Sequence, residues 1–308
     1  MNGMLGSAGD PEYFSRYKNL ALSRSASGVL TLRFHTDGGP HTFDGTTHHD
    51  LPRLLEDIAF DSANRVLVIT GTGDSFIPAI DGPSLGDLTR PTGFDVMYTE
   101  GRRGIQRLVD LEIPIVAAVN GPAPIHSEYA LLADVVIASD TTVFSDMPHL
   151  AFGIAPGDGL VVVWEETIGL NRARHLVITQ GSFTAQQALE WGAVAEIVPL
   201  SQVLPRAQEI AEQMTQRPQL TSKYMAVIFR QRISRRLAEG HAHRNGPGRR
   251  DRCQPALPAE LSSESRRTPR CPPPRSASGR PCPRRPGCAR GDSPALLRDR
   301  YEGPCLSR

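Results

Sequence analysis

Two ionisable side chains stand out in a stretch made largely of Pro, Gly and apolar residues: His149 and Asp158, in SDMPHLAFGIAPGDGL at residues 145–160. Histidine is the side chain whose ordinary pKa lies nearest neutrality, so it can take a proton from water and later return it. An aspartate hydrogen-bonded to the ring would set its tautomer and stabilise the imidazolium. Each also has a plainer reading, His149 as a structural hydrogen-bonder and Asp158 as the cap of a helix starting at residue 160. His126 and Glu128, in PIHSEY, form a second pair: a satisfied core histidine with its partner, or an imidazole that donates to an oxygen gaining charge. His48 opens an apolar-periodic segment, with His49 exposed beside it. His48, His126, His149 and Asp158 are also zinc-ligand types, but no HExxH or comparable local spacing joins them, so neither a metal nor an organic cofactor is expected.

These groups sit in one of two chemically different parts of the chain. Residues 241–308 hold 15 of the 34 basic and 6 of the 33 acidic residues, which makes this tail about +9 and leaves the preceding body about −8. The tail contains all five cysteines and 12 of the 26 prolines, and lacks Val, Ile, Phe, Met, Trp and Lys, so it has almost nothing to pack. We expect a folded domain over residues 1–240 and a disordered Arg/Pro/Cys-rich tail whose mixture fits out-of-frame translation of a GC-rich gene. A nucleic-acid-binding arm would want Lys and interleaved aromatics, and a disulfide module an even cysteine count. No export signal and no run of 18 apolar residues is visible, so the expectation is a cytoplasmic protein with neither nucleic-acid nor membrane partners.

The body alternates strand-like and helix-like periods. Residues 28–35, GVLTLRFH, put Leu30, Leu32 and Phe34 on one face, as a half-buried strand does. Residues 48–60 predict a helix with Leu51, Leu54, Leu55 and Ile58 on one side and Pro52 in its first turn. Strands are expected at 65–71, 114–119, 134–139 and 193–198. Helices are expected at 98–110, 127–133, 160–168, 185–190, 204–214 and 223–237, with the segment around His149 read as a loop. The alternation with short connections implies an α/β domain of stacked units.

Four stretches in order, ANRVLVITGTGDSF, EIPIVAAVNGPA, ADVVIASDTTVFSDM and QGSFTAQQALEWGAVAEIVP, resemble the crotonase (enoyl-CoA hydratase/isomerase) superfamily over about residues 15–238. The resemblance implies a crotonase-like spiral of ββα repeats with C-terminal helices, assembled as a homotrimer or a dimer of trimers. Members acting on coenzyme A thioesters hold the thioester oxygen between two backbone N–H groups at glycine-rich turns. Here Ile80 stands at the first of those places and His126 at the second.

The stretches VNGPAPIHSE, MPH and IAPGDG are instead similar to the superfamily's β-diketone hydrolases. That similarity implies a His149–Asp158 pair activating water, His126 stabilising carbonyl and enolate, and His48 as a further active-site histidine. Phe43 falls where that group carries a tryptophan. Hydrolysis of a cyclic β-diketone needs water to attack one carbonyl, after which the C–C bond breaks and the electrons pass to the second carbonyl as an enolate. The expected site is therefore His149, Asp158 and His126 in catalysis, with His48, Phe43 and Ile80 against a small-molecule diketone. An acyl-CoA hydratase or isomerase, or a crotonase-fold protein with impaired catalysis, is the competing expectation.

Overall fold

The computed structural model describes residues 9–242, so the expected tail at 241–308 lies almost wholly outside the described residues. After a short 3-10 turn, Glu12–Ser15, the chain forms β1 (Leu20–Arg24), β2 (Val29–Phe34), β3 (Thr42–Phe43), α1 (Gly45–Phe60), β4 (Val66–Thr70) and β5 (Ala79–Ile80). It continues through α2 (Pro91–Val109), β6 (Ile115–Val119), α3 (Ser127–Leu131), β7 (Val135–Ser139), β8 (Val143–Ser145) and α4 (Pro148–Ala151). The remaining elements are α5 (Leu160–Ile168), α6 (Leu170–Thr179), β9 (Ser182–Thr184), α7 (Ala185–Glu190), β10 (Glu196–Val198), α8 (Leu200–Thr215) and α9 (Gln219–Ala242).

The main sheet has the order β1-β2-β4-β6-β7-β10; β1 pairs antiparallel with β2, and the other pairings are parallel. Parallel strands covered on both faces read as continuous apolar runs, and every residue of β4 and β6 is buried. Val66, Val68, Val116, Ala118 and Ile137 pack on Val203, Ala207 and Ala211 of α8. The opposite face, with Leu67, Ile69, Ala117 and Val119, builds the larger core beneath α1, α2 and α5. Short second-layer segments follow the main strands: β3 pairs with β5, and Ala123, just after β6, bridges Phe144 of β8. Strand, short strand and helix thus recur as the expected spiral.

Several local expectations are corrected. Asp44 caps α1 by accepting from the Thr47 N–H at 2.7 Å, so the helix starts at Gly45 and Pro52 lies well inside it. Pro52 has no N–H to give the carbonyl of His48, a local loss that the packing of this buried helix overrides. The helix α2 begins seven residues before the expected one, with Pro91 in its first turn, and α6 and β1 were absent from the expectation. The first turns of α2 and most of α6 are at least partly exposed, so no strong apolar stripe marks them. A one-turn helix, α4, replaces the loop expected around His149. Among the described residues, no helix is long and apolar enough to cross a membrane.

Candidate active site

The sequence-predicted residues converge where α1, α2, α3 and the α4–α5 segment meet. His126 joins β6 to α3 and adopts left-handed backbone, φ 49° and ψ 44°, a conformation unusual for a residue with a Cβ. Residues held this way are kept by their surroundings, and here the surroundings are specific. The indole N–H of Trp164 donates to Ser127 Oγ at 3.1 Å, tying the start of α3 to α5. The His126 ring stacks on Tyr129, centroids 4.8 Å apart at 15°, and meets Phe43 at 4.2 Å on an adjacent side, Phe43 and Tyr129 being themselves 6.4 Å apart. Its Nδ1 is 2.6 Å from Oε1 of Glu128, which is fully buried. Burial, aided by the charge of Asp158, raises the Glu128 pKa, opposed by the nearby imidazole.

His149 meets two carboxylates rather than one. Its Nδ1 donates to Asp146 Oδ1 at 2.7 Å, within the turn of α4, and its Nε2 lies 3.5 Å from Asp158 Oδ2. The ring is thus oriented by Asp146, not by Asp158 alone as the sequence implied. Aspartate three residues before a histidine is a signal available in SDMPH, but it points to a partner only if the segment is helical. Asp158 serves both of its readings: Oδ1 accepts from the Leu160 N–H at the start of α5, 3.3 Å away, while Oδ2 faces His149. Burial works against both charges, yet the pairing prevails. Asp146 and Asp158 hold the His149 pKa well above its usual value, and His149 holds Asp158 below the ordinary carboxylate range.

His48 on α1 completes the cluster. Its Nδ1 is 3.4 Å from Oε2 of Glu100 on α2, a partner not legible from spacing because the two residues lie on different helices. Burial, and then the proximity of His126, lowers the His48 pKa and favours the neutral ring. Gly101 makes this approach possible, since a Cβ there would lie 3.2 Å from His48 Nε2 and 3.4 Å from the Asp158 Cβ. Gly159, at φ 140°, lets the chain turn after Asp158 against Ile105 and Leu237, where a Cβ would come within 2.8 and 3.0 Å of side-chain carbons.

Phe43 is buried, and Ile80 is its register partner across β3 and β5, half-buried beside it. Met147, Leu150 and Phe152 are partly exposed around His149, and the Phe152 ring lies over Gly82, just after Ile80. The arrangement offers three imidazoles among the buried carboxyl groups of Glu128, Asp146 and Asp158, suited to moving a proton and to meeting an oxygen that gains charge.

The atoms of His126, Glu128 and Asp158 that could ligate a metal all lie within 4.8 Å of one another. The closest contact among them is His126 Nδ1 to Glu128 Oε1, at 2.6 Å.

Residues 24–246 match the enoyl-CoA hydratase/isomerase family. Carnitinyl-CoA dehydratase of Salmonella arizonae is 32% identical over 203 residues, 65% of this chain and 74% of that protein. Its counterpart in Proteus mirabilis is 29% identical over 203 residues, 65% of this chain and 77% of that protein. Among solved structures, a beta-diketone hydrolase from the cyanobacterium Anabaena sp. PCC 7120, bound to (S)-3-oxocyclohexyl acetic acid, is 45% identical with a TM-score of 0.75. That match covers 76% of this chain and 94% of the other. An enoyl-CoA hydratase/isomerase from Mycobacterium paratuberculosis, 22% identical with a TM-score of 0.68 over 73% of this chain and 90% of its own, shares the fold.

Proposed function

Because the chain belongs to the enoyl-CoA hydratase/isomerase family and has the crotonase fold, we propose that its altered site makes it a hydrolase of cyclic β-diketones, akin to 6-oxocamphor hydrolase. The observation that carries this reading is the cluster of His126, His149 and Asp158 in a chain 45% identical to a beta-diketone hydrolase. A cyclohexanone bearing an acetic acid arm, the ligand of that neighbour, is what hydrolytic opening of a bicyclic β-diketone leaves. The carboxyl marks the carbonyl that water attacked, and the ketone marks the former enolate.

In this chain the His149–Asp158 pair takes the proton from water as it attacks one carbonyl. The C–C bond then breaks, its electron pair passes to the second carbonyl, and His126 donates to the resulting enolate oxygen. A single donor of this kind is worth about 3 to 4 kcal/mol to a developing oxyanion. The enolate carbon finally takes the proton back, so no further reactant is consumed. Because the carboxylates at both nitrogens favour a protonated His149, its base form gains population toward alkaline pH. Phe43, Ile80 and the apolar rim at Met147 and Phe152 suit a compact hydrocarbon framework, and His48 lines the cluster as a neutral group. Assembly as a homotrimer or dimer of trimers, in the cytoplasm, belongs to the same proposal.

The test is turnover of a non-enolisable bicyclic β-diketone beside hydration of crotonyl-CoA, with wild type and His149→Ala. We expect ring opening to a keto acid, reduced on the order of 10²- to 10⁴-fold by the substitution. Hydration of the thioester alone would favour the dehydratase relatives and overturn the hydrolase reading.

A further inference from the structure

Glu128 is fully buried, and of its two oxygens Oε1 meets His126 Nδ1 at 2.6 Å while Oε2 has no hydrogen-bond partner among the described residues. An ionised carboxylate with a buried, unpaired oxygen is costly, whereas the carbonyl oxygen of a neutral carboxyl is the cheaper group to leave unpaired. The charged or titratable neighbours that act on it are His126 and Asp158; Asp158 is anionic and faces His149. A second negative charge at Glu128 would add like-charge repulsion to burial.

The ring it touches has its own requirement. To stabilise an oxygen at the site, His126 must present an N–H from the nitrogen not held by Glu128. Were Glu128 a carboxylate accepting from Nδ1–H, a neutral imidazole would present only a lone pair at Nε2. Were Glu128 a carboxylic acid, Nδ1 would accept and the ring's one proton would sit on Nε2.

We propose that Glu128 is a positioning residue that carries a proton: its Oε1–H donates to His126 Nδ1 and thereby keeps the Nε2–H of a neutral imidazole turned toward the reacting oxygen. The identity of that oxygen rests on the hydrolase reading; the tautomer does not. A buried carboxylic acid kept neutral so that it can donate a hydrogen bond is an established device at oxyanion sites. Stacking on Tyr129, the contact with Phe43 and the bond from Nδ1 to Glu128 hold the imidazole in this orientation.

The experiment is long-range ¹H–¹⁵N correlation on the uniformly ¹⁵N-labelled full chain at pH 7 without substrate, with His126 assigned by the signals lost in His126→Gln. We expect a neutral His126 protonated at Nε2; an Nδ1–H tautomer or an imidazolium would overturn the proposal. Turnover of the bicyclic diketone gives the second readout. Glu128→Ala should lower kcat on the order of 10²-fold with little change in KM, and Glu128→Gln, whose amide N–H can donate to Nδ1, should recover most of that loss. Equal losses in two folded variants would count against Glu128 as a neutral donor. If wild type opens no diketone, the hydrolase reading fails while the tautomer still decides the role of Glu128. If Glu128→Ala does not fold, the wild-type spectrum decides alone.

Discussion

His126 and His149 each lie within hydrogen-bond reach of a buried carboxyl group, but their neighbourhoods differ in kind. His149 has a carboxylate facing each ring nitrogen, at 2.7 and 3.5 Å, and its pKa is driven up. His126 has one carboxyl at one nitrogen and two aromatic rings packed against it, and there it is the carboxyl whose pKa rises. Two anions around one ring make an ion pair; one fully buried acid beside one ring gains more from remaining uncharged. In the proposed mechanism the same two residue types therefore supply a proton-transfer pair on one side of the site and a neutral donor on the other.

The contrast is broken most severely at Asp158, which faces His149 and also influences Glu128. Asp158→Asn should lower kcat for the diketone on the order of 10²- to 10⁴-fold, since the isosteric amide keeps the turn before α5 but removes the charge. Steady-state hydrolysis checks this, and a loss smaller than about tenfold would take the pair out of the chemistry.

A third histidine supplies the limit with no carboxylate in contact. His41 donates from Nδ1 to the His35 carbonyl, its buried Nε2 has no hydrogen-bond partner among the described residues, and burial lowers its pKa to about 4. A histidine whose folded pKa is depressed binds protons more tightly when unfolded, so its contribution is lost as pH falls from about 6.5 toward 4. The full loss is about 3 kcal/mol. The His149–Asp158 pair behaves oppositely over that interval. Asp158 keeps its contribution until pH drops below the ordinary carboxylate range, and His149 loses its own only as pH rises through its raised pKa. Urea unfolding at pH 7 and pH 4.5 should show a smaller acid loss for His41→Leu than for wild type; equal losses would remove His41 from the acid response.

The smallest effect is expected at Asp146, where one of the two anions is removed and the other stays. Asp146→Asn should shift the alkaline-rising limb of the kcat/KM profile to lower pH, because His149 gives up its proton more easily. The plateau should fall by no more than about tenfold, since an amide oxygen still accepts from Nδ1–H. An unmoved limb would mean that Asp146 orients the ring without tuning it.

Much of the scaffold was legible because its signals are local. Alternation in residues 29–34, the apolar runs at 66–70 and 115–119, and the helical spacing after His48 each mark an element that buries one face or both. Helix α6 and the first turns of α2 escaped, since little of their surface is buried to impose a period. Arg230 on α9 carries no sequence signal at all, yet it is 4% exposed. It binds Asp134 with two nitrogens, at 2.9 and 2.7 Å, and donates to the carbonyls of Leu111 and Ile113, fastening the last helix beside the entry to β6.

By itself the sequence singled out the candidate residues: three histidines, an aspartate among glycines and, through the family resemblance, bulk at Ile80 where a close backbone approach would need glycine. It also determined the helix that carries His48, the strand before His126 and the helix after Asp158, because each depends on neighbours a few residues away, but not α4 at His149 nor the short strands of Phe43 and Ile80. The tertiary structure alone decided that Glu100 meets His48 and Phe43 meets His126, and that Asp146 shares His149 with the expected Asp158. The physical reason is distance: a proton's position depends on charges and burial within a few ångströms, and neighbours such as Glu100 and Phe43 come from separate turns of the spiral.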